Sequence, residues 1–147
     1  MPIAHYQETA QKLYGDRIRV RVCGVCIVEE KILLVNHKAI VGDKDVWLPP
    51  GGGIEEGETA EDALRREFLE ETGLEIKVGK LLFTKEFIHA PLHAIELYFM
   101  ITIVSGILTK GLDPEMNTAN QLIEDVRWIS LKDPDFVDEA FYLGINS

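Results

Sequence analysis

The hydrophobic rhythm of the chain changes several times, and each change marks an element. Residues 17–37, RIRVRVCGVCIVEEKILLVNH, alternate and are rich in Val and Ile, the period-2 pattern of half-buried strands. The polar break at Glu29-Glu30-Lys31 predicts two strands joined as a hairpin. Ahead of them, residues 3–15, IAHYQETAQKLYG, have a modest helical period and predict an amphipathic helix closed by Gly15. Residues 38–58, KAIVGDKDVWLPPGGGIEEGE, are crowded with Gly, Pro and Asp and read as loop. Residues 59–73, TAEDALRREFLEETG, form the best-defined helix pattern, with Thr59 as N-cap, Asp62 at N3 and Gly73 just past the end. EIKVGKLLFTKEFI (75–88) and AIELYFMITIVSG (94–106) are apolar enough for central strands. A polar loop from Thr109 to Gln121 follows, then a short strand, DVRWISL (125–131), and a last helix near DFVDEAFYL (135–143). Strands with helices before, between and after them predict a mixed sheet covered on both faces, an α/β layered fold. No repeat or linker divides the chain, so residues 1–16 are read as an N-terminal helix or extension and 17–147 as one domain.

Charge adds a second pattern. The 147 residues carry 25 acidic and 15 basic side chains, a net charge of −10, which argues against general affinity for a nucleic acid backbone. No apolar run is long enough to span a membrane, and the first residues lack the apolar core of a signal peptide, so a cytoplasmic protein is expected. Much of the charge is local: residues 52–74 hold eight acids and two arginines, a net of −6.

Within that segment, Glu67, Glu70 and Glu71 fall inside five residues of the helix. Spacings of three and four place them within an arc of about 100°. Like charges that close weaken a helix, so a neutralising partner is expected. The preceding GGGIEEGET misses G-x-G-x-x-G and nearly fits the P-loop, but Glu58 stands where that motif needs Lys, which turns phosphate cradling into repulsion. An EF-hand is excluded because its ligands alternate along a loop. Divalent cations between the carboxylate face and a phosphate chain would neutralise both. Ala60 and Ala63 leave that face open, Leu64 and Phe68 turn toward the sheet, and Arg66 can tether Glu58 or Glu70 without occupying the metal position. The glycines permit close backbone approach, and the Gly52 carbonyl offers a further hard oxygen. A merely solvated glutamate face is the duller reading, and the glycine turn and small residues weigh against it.

These residues carry a resemblance. GGIEEGETAEDALRREFLEETGL, residues 52–74, matches the Nudix box, G-x5-E-x7-R-E-U-x-E-E-x-G-U with U apolar. Gly52, Glu58, Arg66, Glu67, Phe68, Glu70, Glu71, Gly73 and Leu74 fill every specified position. The flanking WLPPGGG also looks like the approach to that box. The chain therefore resembles a Nudix hydrolase, which implies an α/β/α sandwich with a mixed central sheet and a loop-helix-loop box. The resemblance implies hydrolysis of a nucleoside diphosphate linked to another moiety, with Mg²⁺ or Mn²⁺. Glu67, Glu70 and Glu71 would be the metal carboxylates with the Gly52 carbonyl, and Glu58 and Arg66 would hold helix and loop in place. Metals lower the pKa of a bound water, and a carboxylate, Glu67, Glu70 or an acid from a later loop, takes its proton. A non-catalytic nucleotide-binding module on the same fold is the alternative, although such modules typically lose box carboxylates. An RNA-end pyrophosphohydrolase is disfavoured by the acidity.

Outside the box, Gly51, Gly53, Trp47, His93 and Glu96 are candidate substrate contacts and Glu124 a candidate late metal carboxylate. Glu96 lies in the apolar strand AIELYFM, where an ionised group needs a partner, whereas Glu115 in GLDPEMN needs none. His89 and His93 flank Pro91 in a loop, and core packing would explain Trp47 equally well. Cys23 and Cys26 form C-x-x-C inside a strand, which points their thiols to opposite faces, so two buried thiols are expected rather than a zinc or redox site. Substrates left open are nucleoside triphosphates, nucleotide sugars and ADP-ribose, taken by a chain acting alone or as a homodimer.

Overall fold

The computed structural model describes residues 8, 12, 17–41, 44–109 and 123–133, with the backbone alone at 37–41, 44–46, 123 and 124. Apart from Glu8 and Lys12, both helical, the helix expected over 3–15 lies outside the described residues, as do Glu115 and the last helix near 135–143. Strands β1 (Arg19–Val25), β2 (Ile27–Val28), β3 (Lys31–Val41), β4 (Lys44–Leu48) and β5 (Gly51–Gly53) precede helix α1 (Ala60–Thr72). Strands β6 (Leu74–His89), β7 (Leu92–Gly106) and β8 (Ile123–Ser130) follow.

The strands form a mixed four-stranded sheet in the order β5-β1-β7-β6 and a second sheet in which β3 pairs with β2, β4 and β8. In the mixed sheet β1 runs parallel to β7 and antiparallel to β5. The predicted hairpin is present with a tighter turn: Val28 pairs with Lys31, so Glu29 and Glu30 alone make the loop, both at positive φ (52° and 64°). Residues 38–48, read as loop from their Gly and Asp content, are largely strand. β3 continues to Val41 and β4 pairs back on it, because β8 supplies the partner that holds β3 in register.

Helix α1 starts and stops where its sequence directs. Thr59 accepts the Asp62 N–H at 3.0 Å, and Gly73 takes the left-handed conformation (φ 75°) with its N–H on Leu69 O. Its apolar side, Ala63, Leu64 and Phe68, packs on Val22, Leu33, Ile76 and Ile101, drawing on both sheets. The opposite faces meet in a second cluster of Cys23, Val25, Ile32, Leu34, Tyr98 and Ile129. Cys23 and Cys26 thus belong to different clusters, as the strand period requires, and both thiols are free and buried. Burial pushes Cys23 up to about 12 and Cys26 up to about 11, so both stay protonated at neutral pH.

Candidate active site

The site is assembled at the edge of the mixed sheet. β5 is its terminal strand, and the bonds Gly24 N–H to Pro50 O and Ile54 N–H to Val20 O set the phase of the β1–β5 ladder. In that phase Gly52 turns its peptide groups inward to Val22, while Gly51 and Gly53 present theirs off the free edge. Two bonds to α1 agree: the Gly51 N–H donates to Glu71 at 2.9 Å, and the Gly53 carbonyl accepts from Arg66 Nη2 at 3.2 Å. The Gly52 carbonyl, expected as a metal ligand, is therefore the one the ladder engages. The backbone oxygens on the carboxylate side belong to Gly51 and Gly53, and Arg66 already holds the latter.

Gly52 has a different importance. A Cβ there would lie 2.4 Å from the Glu67 carboxylate, so the bare Cα is what lets Glu67 rest on the strand. Glu67 and Glu71 are buried, at 8% and 2% exposure, and Glu70 beside them on the helix is half-buried. Carboxylates so placed need partners. Arg66 supplies much of the compensation. Nε and Nη2 grip Glu58 as a fork at 2.8 and 2.9 Å, and Nη1 reaches Glu67 at 2.9 Å and Glu70 at 3.3 Å. The tether to Glu58 and Glu70 is as expected, but Arg66 also takes Glu67 and so stands between two proposed metal carboxylates. Glu58 is in turn fixed by the Glu55 N–H at 3.0 Å. The Arg66 hydrogen bonds hold the Glu58 carboxyl well below the usual range, at about 2. With Arg66 in this position, no three acid, His or Cys groups among the described residues converge closely enough to hold a metal.

Glu96 is buried at 5% exposure, and the register Arg21↔Glu96 puts it on the face of the mixed sheet away from α1. Arg21 donates to its Oε2 and the Tyr98 hydroxyl to its Oε1 at 3.2 Å. Tyr98 stacks on Phe83 with ring centroids 4.5 Å apart. Arg21 and Tyr98 were not singled out from sequence, although the alternation RIRVRV puts Arg19 and Arg21 on one face. Trp47 packs against the second cluster with the Arg127 guanidinium 5.5 Å from its ring centroid. His93 pairs with Ile88 near the β6–β7 turn, three residues before Glu96 and so on the opposite face. Glu124 is on β8, and its side chain lies outside the described residues.

A family model described as the NUDIX domain matches residues 17–143. The chain belongs to the NUDIX family. It is 38% identical over 96 residues to an ADP-ribose pyrophosphatase of Methanocaldococcus jannaschii, covering 64% of this chain and 56% of that protein. It is 34% identical over 97 residues to the nucleoside triphosphatase NudI of an Enterobacter species, covering 63% and 67%. A MutT NUDIX hydrolase from Burkholderia pseudomallei has the same fold, with a TM-score of 0.70 at 23% identity over 89% of this chain and 98% of that one. Helix α1 with its flanking turns is the Nudix box helix, and no helix among the described residues is long and apolar enough to cross a membrane.

Proposed function

We propose that this Nudix protein is a hydrolase that cleaves the pyrophosphate linkage of a nucleoside diphosphate derivative, of nucleoside triphosphate, nucleotide sugar or ADP-ribose type. The observation that carries this reading is a set of carboxylates, two of them buried, packed against a strand of three glycines and gripped by Arg66. The relatives named above support the linkage, because both are named for cleaving phosphate anhydrides.

The donor set is all hard oxygen and fits Mg²⁺ or Mn²⁺. Glu67, Glu70 and Glu71 would hold the ion with a backbone carbonyl, for which we put Gly51 in place of Gly52 because of the ladder phase. Bound there, the ion would screen phosphate charge and acidify a water. Arg66 grips Glu58 through Nε and Nη2 and so holds the loop on the helix, while Glu67 and Glu70 would exchange their contacts with Nη1 for the ion. Glu67 or Glu70, whichever is less engaged, accepts the proton as the water oxygen attacks phosphorus and the bridging oxygen departs with the other phosphate. The test is release of phosphate or nucleoside monophosphate across a panel of nucleotide derivatives, with Mg²⁺ or Mn²⁺ and with EDTA. Metal-dependent turnover on members of one class is expected, and turnover that survives exhaustive chelation would exclude the metal carboxylates.

A further inference from the structure

The face of the mixed sheet opposite α1 carries a group that the box does not use. Arg21 lies beside Gly53, and at such a non-hydrogen-bonded pair the Cα atoms are about 4.5 Å apart. Its side chain is 18% exposed and tied at one nitrogen, Nη1, to Glu96, whose other oxygen takes the Tyr98 hydroxyl. The remaining guanidinium N–H groups have no partner among the described residues, and none is sealed from water. Next along β1, Arg19 lies over Gly53 as well: a Cβ on that glycine would meet Arg19 Nη2 at 2.4 Å. Gly51 to Gly53 therefore form a strip without side chains, with acids along its edge and guanidinium groups over its face.

A buried ion pair adds little net stability, since desolvation offsets most of the attraction. Both Glu96 oxygens are spent on fixing other groups, which makes Glu96 a poor metal ligand and a good brace. What it braces is a planar five-donor cation with donors left to give, a geometry suited to phosphate oxygens. We propose that Arg21, braced by Glu96 and Tyr98 and flanked by Arg19, binds the phosphoryl group of the substrate that the carboxylate-bound metal does not hold. The diphosphate would lie along the glycine strip, with one phosphate at its edge and the other over its face. This rests on the hydrolase reading for the identity of the substrate. Arg21 touches substrate in this scheme, whereas Glu96 and Tyr98 are positioning residues.

The experiment is calorimetric binding of α,β-methylene-ADP in Mg²⁺, which does not depend on turnover, together with KM and kcat on whichever substrate the panel identifies. Arg21→Gln should weaken the analogue by about 10- to 100-fold, the loss of charged hydrogen bonds. KM should rise in step, with kcat within about threefold. Arg21→Lys, which keeps the charge but not the fork, should recover part of the affinity. Because Arg21→Gln leaves Glu96 buried and uncompensated, Arg21→Gln/Glu96→Gln is measured beside it and should show the same weakening in a protein that melts normally. Glu70→Gln should lose turnover yet bind the analogue far better than Arg21→Gln does. If the folded double variant binds as wild type does, or wild type binds no diphosphate analogue, the proposal is wrong. If no panel member is hydrolysed but the Arg21 dependence of binding holds, the hydrolase reading fails and the anchor stands.

Discussion

Replacing Gly52 with alanine adds one methyl group, and the structure says where it goes. The new Cβ would lie 2.4 Å from Cδ and Oε1 of Glu67 and 2.7 Å from Oε2, where ordinary contact begins at 3.4 Å. The carboxylate must therefore withdraw by about 1 Å, because overlap that deep is not tolerated in a packed site. It is the far end of a flexible side chain, so the backbone need not move and the melting temperature should fall by little, a loss of about 1 kcal/mol or less. Turnover should respond very differently. A displacement of about 1 Å at a catalytic group costs on the order of 100-fold, and Glu67 would also lose its fixed distance to Arg66. The assay pairs steady-state kinetics and Mg²⁺ titration with thermal unfolding, using Glu67→Gln as the reference for full loss. A Gly52→Ala protein that is as stable as wild type but retains kcat/KM within about threefold would show that the position of Glu67 does not matter to the chemistry, and the site assignment would have to be abandoned.

Other expectations can be checked in the same way. Glu70→Gln removes one of the carboxylates gathered around Arg66, so turnover should drop by orders of magnitude while the metal-free melting temperature stays level or rises; near-normal turnover would mean that the face is only solvated. Arg66 holds Glu58 at about 2 rather than its usual 4.5, so the pair should stabilise the fold above pH 4.5 and lose that contribution as pH falls toward 2. The stability gap between wild type and Glu58→Gln, about 1 kcal/mol after solvent screening, should close over that window, and a gap unchanged at pH 2 would contradict the pairing. Glu29 and Glu30 both sit in the left-handed region, so Glu29→Asn/Glu30→Gly should raise stability by about 1 kcal/mol, or about 2–4 °C, and a lower melting temperature would mean that their side chains matter more than the turn.

Which features were legible in the sequence follows from how far apart their determinants lie. The spacing of Glu67, Glu70 and Glu71 is a property of one helix, and the caps Thr59 and Gly73 are read within four residues of where they act. The family likewise rests on the contiguous 52–74 segment. The strands at 38–41 and 44–48 were not legible, because they pair with each other through a β3 whose own register is set at residues 31–37 by β8, far along the chain, and their composition imitates a loop. The same holds for Gly52. Which glycines of the three turn their carbonyls to the edge is a matter of ladder phase, and that phase is set by the bonds from Gly24 to Pro50 and from Ile54 to Val20. Glu96 was recognised as a costly charge in an apolar strand, but its partner on a neighbouring strand, Arg21, could not be paired with it before the register was known.

The helix that carries the site breaks the rule it obeys at its start. Its first turn holds Glu61 and Asp62, which suit the positive end of the macrodipole. Its last turn holds Glu70 and Glu71 with no basic residue, at the end where negative charge is unfavourable. Arg66 cannot balance this alone. It shares one positive charge among Glu58, Glu67 and Glu70, while Glu71, at 2% exposure, takes the Gly51 N–H. Apolar packing of Ala63, Leu64 and Phe68, together with two well-formed caps, keeps the helix folded despite the repulsion. Local rules are violated in natural proteins mainly where function requires it, and the cost is carried by the packing around the site. Here the violation has a sign and a place: concentrated negative charge beside a strip of glycines at a sheet edge. Under the proposed function a dication would meet that sign, and a phosphate chain brought with it would lie along the strip, between the acids at its edge and the guanidinium groups over its face.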